Sequence, residues 1–202
     1  AFFPLNLGFL AWVSFIPLFH LFMSSSLKKN LIYGYIFGFT FNITAFYWIG
    51  SNSGADKFTV IGSLVAAAGY LSIFYALAGI LFSLLSKKHK TRFGGVLFPF
   101  LIVFIEWIRS FGAMGFPWSN IALSQSKYIY FIQFIDITGT YGVSFIIISF
   151  NVILYNGIKN KIDLKYALSF ILFVFISLSL TGWSKIKSLS SFDKIIKTAI
   201  VQ

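Results

Sequence analysis

Six long runs of apolar residues, joined by short polar or basic segments, leave this chain few ways to fold. They are roughly Leu7–Met23, Leu31–Gly50, Phe58–Leu85, Phe93–Ile108, Phe131–Tyr155 and Tyr166–Trp183. A helix crosses a bilayer core with about 20 apolar residues, within a range of roughly 17–25. Most of the runs fit that length. Phe58–Leu85 is long enough to tilt, and Phe93–Ile108 is short unless it continues through Phe111. Barrel strands alternate in polarity and are only about ten residues long, so unbroken runs like these predict helices. In lipid each backbone group needs a partner inside its own helix, which argues the same way.

Composition agrees. The chain is 58% hydrophobic and only 10% charged, with 27 Phe, whereas a soluble domain is about 25% charged. A water-facing surface cannot be covered from so few polar residues. A soluble enzyme, a disordered tail and a disulfide-stapled secreted domain are all excluded. The fold expected is an all-α polytopic membrane protein of about six transmembrane helices. There is no cysteine, and the two histidines, His20 and His89, are far apart in sequence. A nitrogen/sulfur metal site is therefore not expected, and no cofactor is implied.

The net charge of +11 would suggest nucleic acid in a soluble protein; in a membrane protein it sets orientation. Nine basic residues fall in alternate loops: Lys28, Lys29, Lys87, Lys88, Lys90, Arg92, Lys159, Lys161 and Lys165. Lys57, Arg109 and Lys127 fall on the opposite side. The nine are expected to face the cytoplasm, which leaves both chain ends outside, or in the periplasm of a bacterium. A seventh helix hidden within 109–130 would reverse the tail.

The chain changes character after Trp183. Residues 1–183 read as a transmembrane helical module and 184–193 as a polar linker. Residues 194–202, Lys-Ile-Ile-Lys-Thr-Ala-Ile-Val-Gln, read as a short β-strand opening a domain that is not included. A lone strand is not stable, so the sequence is expected to be a fragment.

Few residues inside the apolar runs could carry chemistry. Gly34-x-x-x-Gly38 and Ala66-Ala-Ala-Gly69 are close-packing signals for neighbouring helices. Glu106 and Asp136 are the acids inside apolar segments, and intramembrane acids are functional candidates. Glu106 also sits three residues before Arg109, the spacing of a local helical ion pair. The most informative stretch is 109–130, with Gly115-Phe116-Pro117-Trp118 at its centre. Gly115 permits a positive φ and Pro117 fixes the chain, so a rigid turn presenting Phe116 and Trp118 is expected. An interfacial aromatic belt would explain an isolated Trp equally well. Beside Arg109, Ser119, Asn120 and Gln125, however, the turn could form a rim for a phospholipid headgroup or acyl chain, shared with Tyr47 and Trp48. No G-x-S-x-G, P-loop or H-E-x-x-H motif is present. A polytopic transporter or channel fragment, with Asn42, Glu106 and Asp136 as its polar candidates, remains an alternative. So does a non-catalytic membrane scaffold.

Phe104-Ile-Glu106-Trp-Ile-Arg109, then Gly115-Phe-Pro-Trp118 and Ser124-Gln125, resembles the membrane region of bacterial apolipoprotein N-acyltransferases. Ala1-Phe-Phe-Pro4, Gly34-x-x-x-Gly38-Phe39, Tyr47-Trp48, Ala76-Leu-Ala-Gly79 and Gly139-Thr-Tyr-Gly-Val-Ser-Phe145 agree in order, and Ala199-Ile-Val-Gln202 is similar to the opening strand of that family's nitrilase-like domain. The resemblance implies an inner-membrane acyltransferase. Its partners would be a phospholipid acyl donor, a diacylglyceryl lipoprotein acceptor and the bilayer, with no nucleic acid. It also implies a ping-pong mechanism through a thioester, served by a Glu-Lys-Cys triad in the periplasmic nitrilase-like domain. This sequence ends before that domain, so the fragment is expected to be inactive alone and to hold no catalytic residue. Its expected part is lipid access and docking. Trp118, Phe116, Pro117, Gly115, Trp48 and Gln125 would contact lipid or substrate, while Glu106 and Arg109 brace the loop.

Overall fold

The structure, a computed structural model, describes residues 7–86 and 90–189. Among the described residues the chain forms six α-helices and no strand: α1 (Ile16–Ser24), α2 (Leu27–Ala45), α3 (Lys57–Leu85), α4 (Lys90–Ile108), α5 (Ile135–Ile158) and α6 (Leu164–Leu189). Residues 194–202, expected to be a strand, lie outside the described residues. Each apolar run therefore carries a helix. Lys57–Leu85, Phe131–Ile158 and Leu164–Ser188 are long and apolar enough to cross a membrane, and Gly8–Ser24 and Gly94–Ile108 are shorter apolar helical stretches, the first of them interrupted.

Two elements depart from the expected outline. Leu7–Met23 is not one helix. A 3-10 turn at Gly8–Trp12 is followed by the nine-residue α1, whose first turn holds Pro17. Proline has no N–H to give to a preceding turn, so it starts a helix more readily than it continues one. α6 runs on to Leu189, past Trp183 and into the segment read as a linker. Ser184-Lys-Ile-Lys-Ser-Leu189 contains no Gly or Pro to stop it.

α2 and α3 make the closest helix pair. A methyl group on Gly34 would lie 2.3 Å from the Tyr75 carbonyl oxygen, and one on Gly79 would lie 2.2 Å from that of Asn30. The G-x-x-x-G is thus a packing surface, as its spacing predicts. The helices meet at two ends. A basic end carries residues 24–30 and 159–163 with the end of α3 and the start of α4, and a loop end carries 46–56 and 109–120. Toward the basic end the core is aromatic: Phe19 lies 4.9 Å from both Phe98 and Tyr155, and Phe22 lies 5.6 Å from Phe82, centroid to centroid. Tilted and edge-on pairs of this kind add to the stabilisation from burial alone.

α6 stands apart. Only 6% of its most apolar window is buried. It is joined to the bundle where Phe175 stacks on Phe131 at 5.2 Å, and where Gly182 meets the Tyr130 carbonyl so tightly that a Cβ would sit 1.8 Å away. At the loop end Lys185 Nζ donates to Asp136 at 2.6 Å, with both side chains exposed. The acid at Asp136 is therefore an exposed ion-pair partner between α5 and α6.

Candidate functional site

The segment between α4 and α5 contains no seventh crossing. It has only two 3-10 turns, Ile121–Gln125 and Phe131–Phe134. It begins as a closed loop in which the Phe116 N–H donates to the Arg109 carbonyl at 2.8 Å and the Gly115 N–H donates to Gly112 at 3.0 Å. The positive φ belongs to Gly112 (83°), not to Gly115. Gly115 is required for another reason: a Cβ there would lie 2.6 Å from the Ser110 carbonyl.

This loop holds an aromatic rim. Trp118 is 58% exposed and stacks on Trp48 with centroids 5.7 Å apart and planes 22° apart. Phe116 packs against Trp118 at 5.6 Å and edge-on against the buried Phe46 at 5.1 Å. Phe46 closes α2 and Trp48 sits on the 3-10 turn Tyr47–Ser51 that follows it. The rim therefore joins two loops.

Below the rim the segment turns inward, and Ser119, Asn120, Ile121, Ala122, Ser124 and Gln125 are all buried. Irregular backbone is tolerated at membrane depth only where protein satisfies its polar groups. Several of its polar groups have specific partners. The Ile121 N–H donates to Glu106 Oε1 at 2.6 Å. The Ala122 N–H donates to Asn120 Oδ1 at 3.0 Å, an oxygen that also accepts from Ser144 Oγ at 2.9 Å. Ser119 Oγ donates to Asn42 Oδ1 at 3.2 Å. Glu106 and Arg109 form the i,i+3 pair at 3.8 Å, but with both side chains almost fully buried. They lie inside the bundle, not at the interface. Arg109 is therefore no outer-loop charge, which deepens the charge asymmetry between the two ends.

The structure thus brings Gly115, Phe116, Pro117 and Trp118 together with Trp48, and places Glu106 and Arg109 beneath them. Gln125 is elsewhere. It is fully buried, with Nε2 donating to the Gly8 carbonyl at 2.8 Å and Oε1 accepting from Trp12 Nε1 at 3.1 Å. Its amide fastens the Gly8–Trp12 turn and edges a separate apolar groove of about 510 Å³ between Phe9, Trp12, Tyr128 and the α6 residues Leu168, Leu172 and Phe175.

Sequence reasoning missed one group. Asn151 Oδ1 accepts from the Phe15 N–H at 3.0 Å, and its Nδ2 donates to the Ala11 carbonyl at 2.9 Å. It spans the break before α1. A lone Asn inside an apolar run was the available signal. Chemically, the site presents an exposed aromatic surface over a floor of bonded amides and hydroxyls. The described histidine, His20, is hydrogen-bonded to Tyr155 instead.

A family model, the apolipoprotein N-acyltransferase N-terminal domain, matches residues 1–153. The chain is 31% identical over 156 residues to the apolipoprotein N-acyltransferase of Geobacter metallireducens, covering 74% of this chain and 29% of that protein. It is 29% identical over 174 residues to that of Rickettsia prowazekii, covering 84% and 35%. Against that of Methylococcus capsulatus it is 32% identical over 136 residues, covering 62% and 26%. The chain spans about a third of the length of these relatives. No solved structure matches it. With a helical membrane bundle and a family model over most of its length, the chain belongs to the apolipoprotein N-acyltransferase N-terminal domain family.

Proposed function

We propose that this chain is the lipid-handling membrane module of an enzyme that acylates bacterial lipoproteins. In the reaction the ester bond of a phospholipid acyl chain breaks and a lysophospholipid leaves. The acyl group passes through an enzyme thioester to the α-amine of a diacylglyceryl-cysteine, which gives up a proton as the amide forms. The nucleophile and its partners would come from a nitrilase-like domain beyond Gln202. The observation that carries the reading is the rim: two tryptophans stacked across two loops, one of them more than half exposed, over a floor held rigid by buried hydrogen bonds. An apolar chain can lie against such a surface while its ester and headgroup stay at the polar boundary.

The host membrane would be the bacterial inner membrane, with the basic end in the cytoplasm and the loop end in the periplasm. Glu106 braces the floor through Ile121, and Arg109 fixes the loop through its carbonyl. The transporter reading has less support. Asn42 Oδ1, Asn120 Oδ1 and Glu106 Oε1 each accept a hydrogen bond from a hydroxyl or a backbone N–H of the segment after α4, which serves to hold that segment in place.

In the full-length protein, Trp118→Ala should slow acyl transfer from phospholipid while leaving membrane insertion intact. Turnover equal to that of the unaltered protein would reduce Trp118 to an interfacial anchor and remove the rim from the mechanism.

A further inference from the structure

We propose that the buried space between Tyr75, Glu106 and Arg109 is a binding site for water, held between α3 and α4 under the aromatic rim. All three side chains are almost completely buried, at 0%, 1% and 2% exposure. Yet Tyr75 Oη, Glu106 Oε2 and Arg109 Nε, Nη1 and Nη2 have no hydrogen-bond partner among the described residues. A buried polar group without a partner costs about 1–3 kcal/mol, and a charged one costs more. The cluster is compact: the ion pair spans 3.8 Å, and the Tyr75 hydroxyl lies within electrostatic reach of both charges. The ion pair is longer than a direct hydrogen bond, and across such a contact a water can bridge the two groups.

The chemistry selects the occupant. The orphaned guanidinium nitrogens only donate and the orphaned carboxylate oxygen only accepts, while the tyrosine hydroxyl does either. An anion would satisfy Arg109 and leave Glu106 Oε2 bare; a cation would do the reverse. Glu106 and Arg109 already balance each other in charge, so the ligand is neutral. It must both donate and accept, beside side chains that are almost completely buried. Water meets every condition, and a buried water makes about three such bonds. It ties Tyr75 of α3 to the acid whose other oxygen holds Ile121, so the loop is anchored to α3 as well as α4.

Synchrotron hydroxyl-radical footprinting of the full-length protein tests this, because radicals form in place from bound water. Tyr75 should be modified several-fold faster than Phe22, Phe82 and Phe98, which are equally buried in the aromatic core. Phe46, on the way to the loop end, and Ile105, beside Glu106 in sequence, are also buried and should stay unmodified. A Tyr75 as silent as Phe82 overturns the proposal. Modification of Tyr75 together with Phe46 and Ile105 also overturns it, since that pattern reads as opening of the whole region to solvent.

Discussion

The two ends of this bundle rest on different balances of packing and hydrogen bonding. Toward the basic end the core is mainly aromatic, with Phe19, Phe22, Phe82, Phe98 and Tyr155, and one buried amide, Asn30, donates to the Phe22 carbonyl and to Ser83 Oγ. Toward the loop end the chain breaks repeatedly, at Gly8–Trp12, Tyr47–Ser51 and 109–134, and the first and last of these are matched to buried amides, an acid and hydroxyls. Apolar packing supplies cohesion but tolerates exchange of similar shapes. Hydrogen bonds to interrupted backbone permit far fewer arrangements, because each unmade bond in a dry interior is costly. The end that bears the exposed rim is thus the end whose geometry is specified bond by bond.

That contrast can be broken experimentally. The largest effect is expected from Glu106→Ala, which strands Arg109 as a buried unpaired charge and should cost about 3–5 kcal/mol. Denaturant unfolding in detergent micelles reads it, and adding Arg109→Met should restore much of the loss. A single-variant cost no greater than that of an aliphatic trim would erase the distinction between the two ends. Asn151→Ala comes next. It deprives the Phe15 N–H of its acceptor and should cost about 1–3 kcal/mol. Hydrogen exchange at Phe15 should accelerate alongside, while Phe98 is unaffected. At the aromatic end, the volume-conserving change Leu18→Met, next to Phe19 and buried, should cost less than about 1.5 kcal/mol, with no change in rim fluorescence from Trp48 and Trp118. A rim response to Leu18→Met would show the two ends to be one cooperative unit.

The smallest effect concerns pH. The Thr59 hydroxyl and then the Thr59 N–H hold the Asp56 carboxyl below its ordinary range, where it caps α3 together with the Phe58 N–H. A depressed folded pKa means that this cap contributes fully above the usual aspartate range. Its contribution is lost as pH falls through the lower, folded value. Amide exchange at Phe58 and Thr59, corrected for its intrinsic pH dependence, should lose protection in that acidic window alone. The Asp56→Asn variant, which has no such titration, should show no transition.

The helices were legible because apolar run length is a property of the sequence itself. Phe58–Leu85 in sequence became Lys57–Leu85 in structure. The break at 13–15 was not, because Val13-Ser-Phe15 is as apolar as its flanks and the residue that permits the break, Asn151, is 136 positions from Phe15. At the site, the rigid turn and its partnership with Trp48 followed from Gly-Phe-Pro-Trp and the order of the loops. Gln125 did not, since a polar residue in a loop gives no sign that its amide will be consumed by Gly8 and Trp12. Local chemistry could be read ahead of the fold, whereas long-range partners of a single amide could not.

Glu106 also carries a consequence for the order of assembly. Its neutralising partner, Arg109, follows within one helical turn, so the apolar part of α4 can enter the bilayer with its acid already balanced. The amide it holds, Ile121, emerges from the ribosome only later. Ser144, which locks Asn120 beside that amide, lies on α5 and arrives last. Until α5 is in place Asn120 lacks the hydroxyl that locks it. The rim therefore takes its final shape only after the fifth helix has been threaded, whatever the state of the four before it.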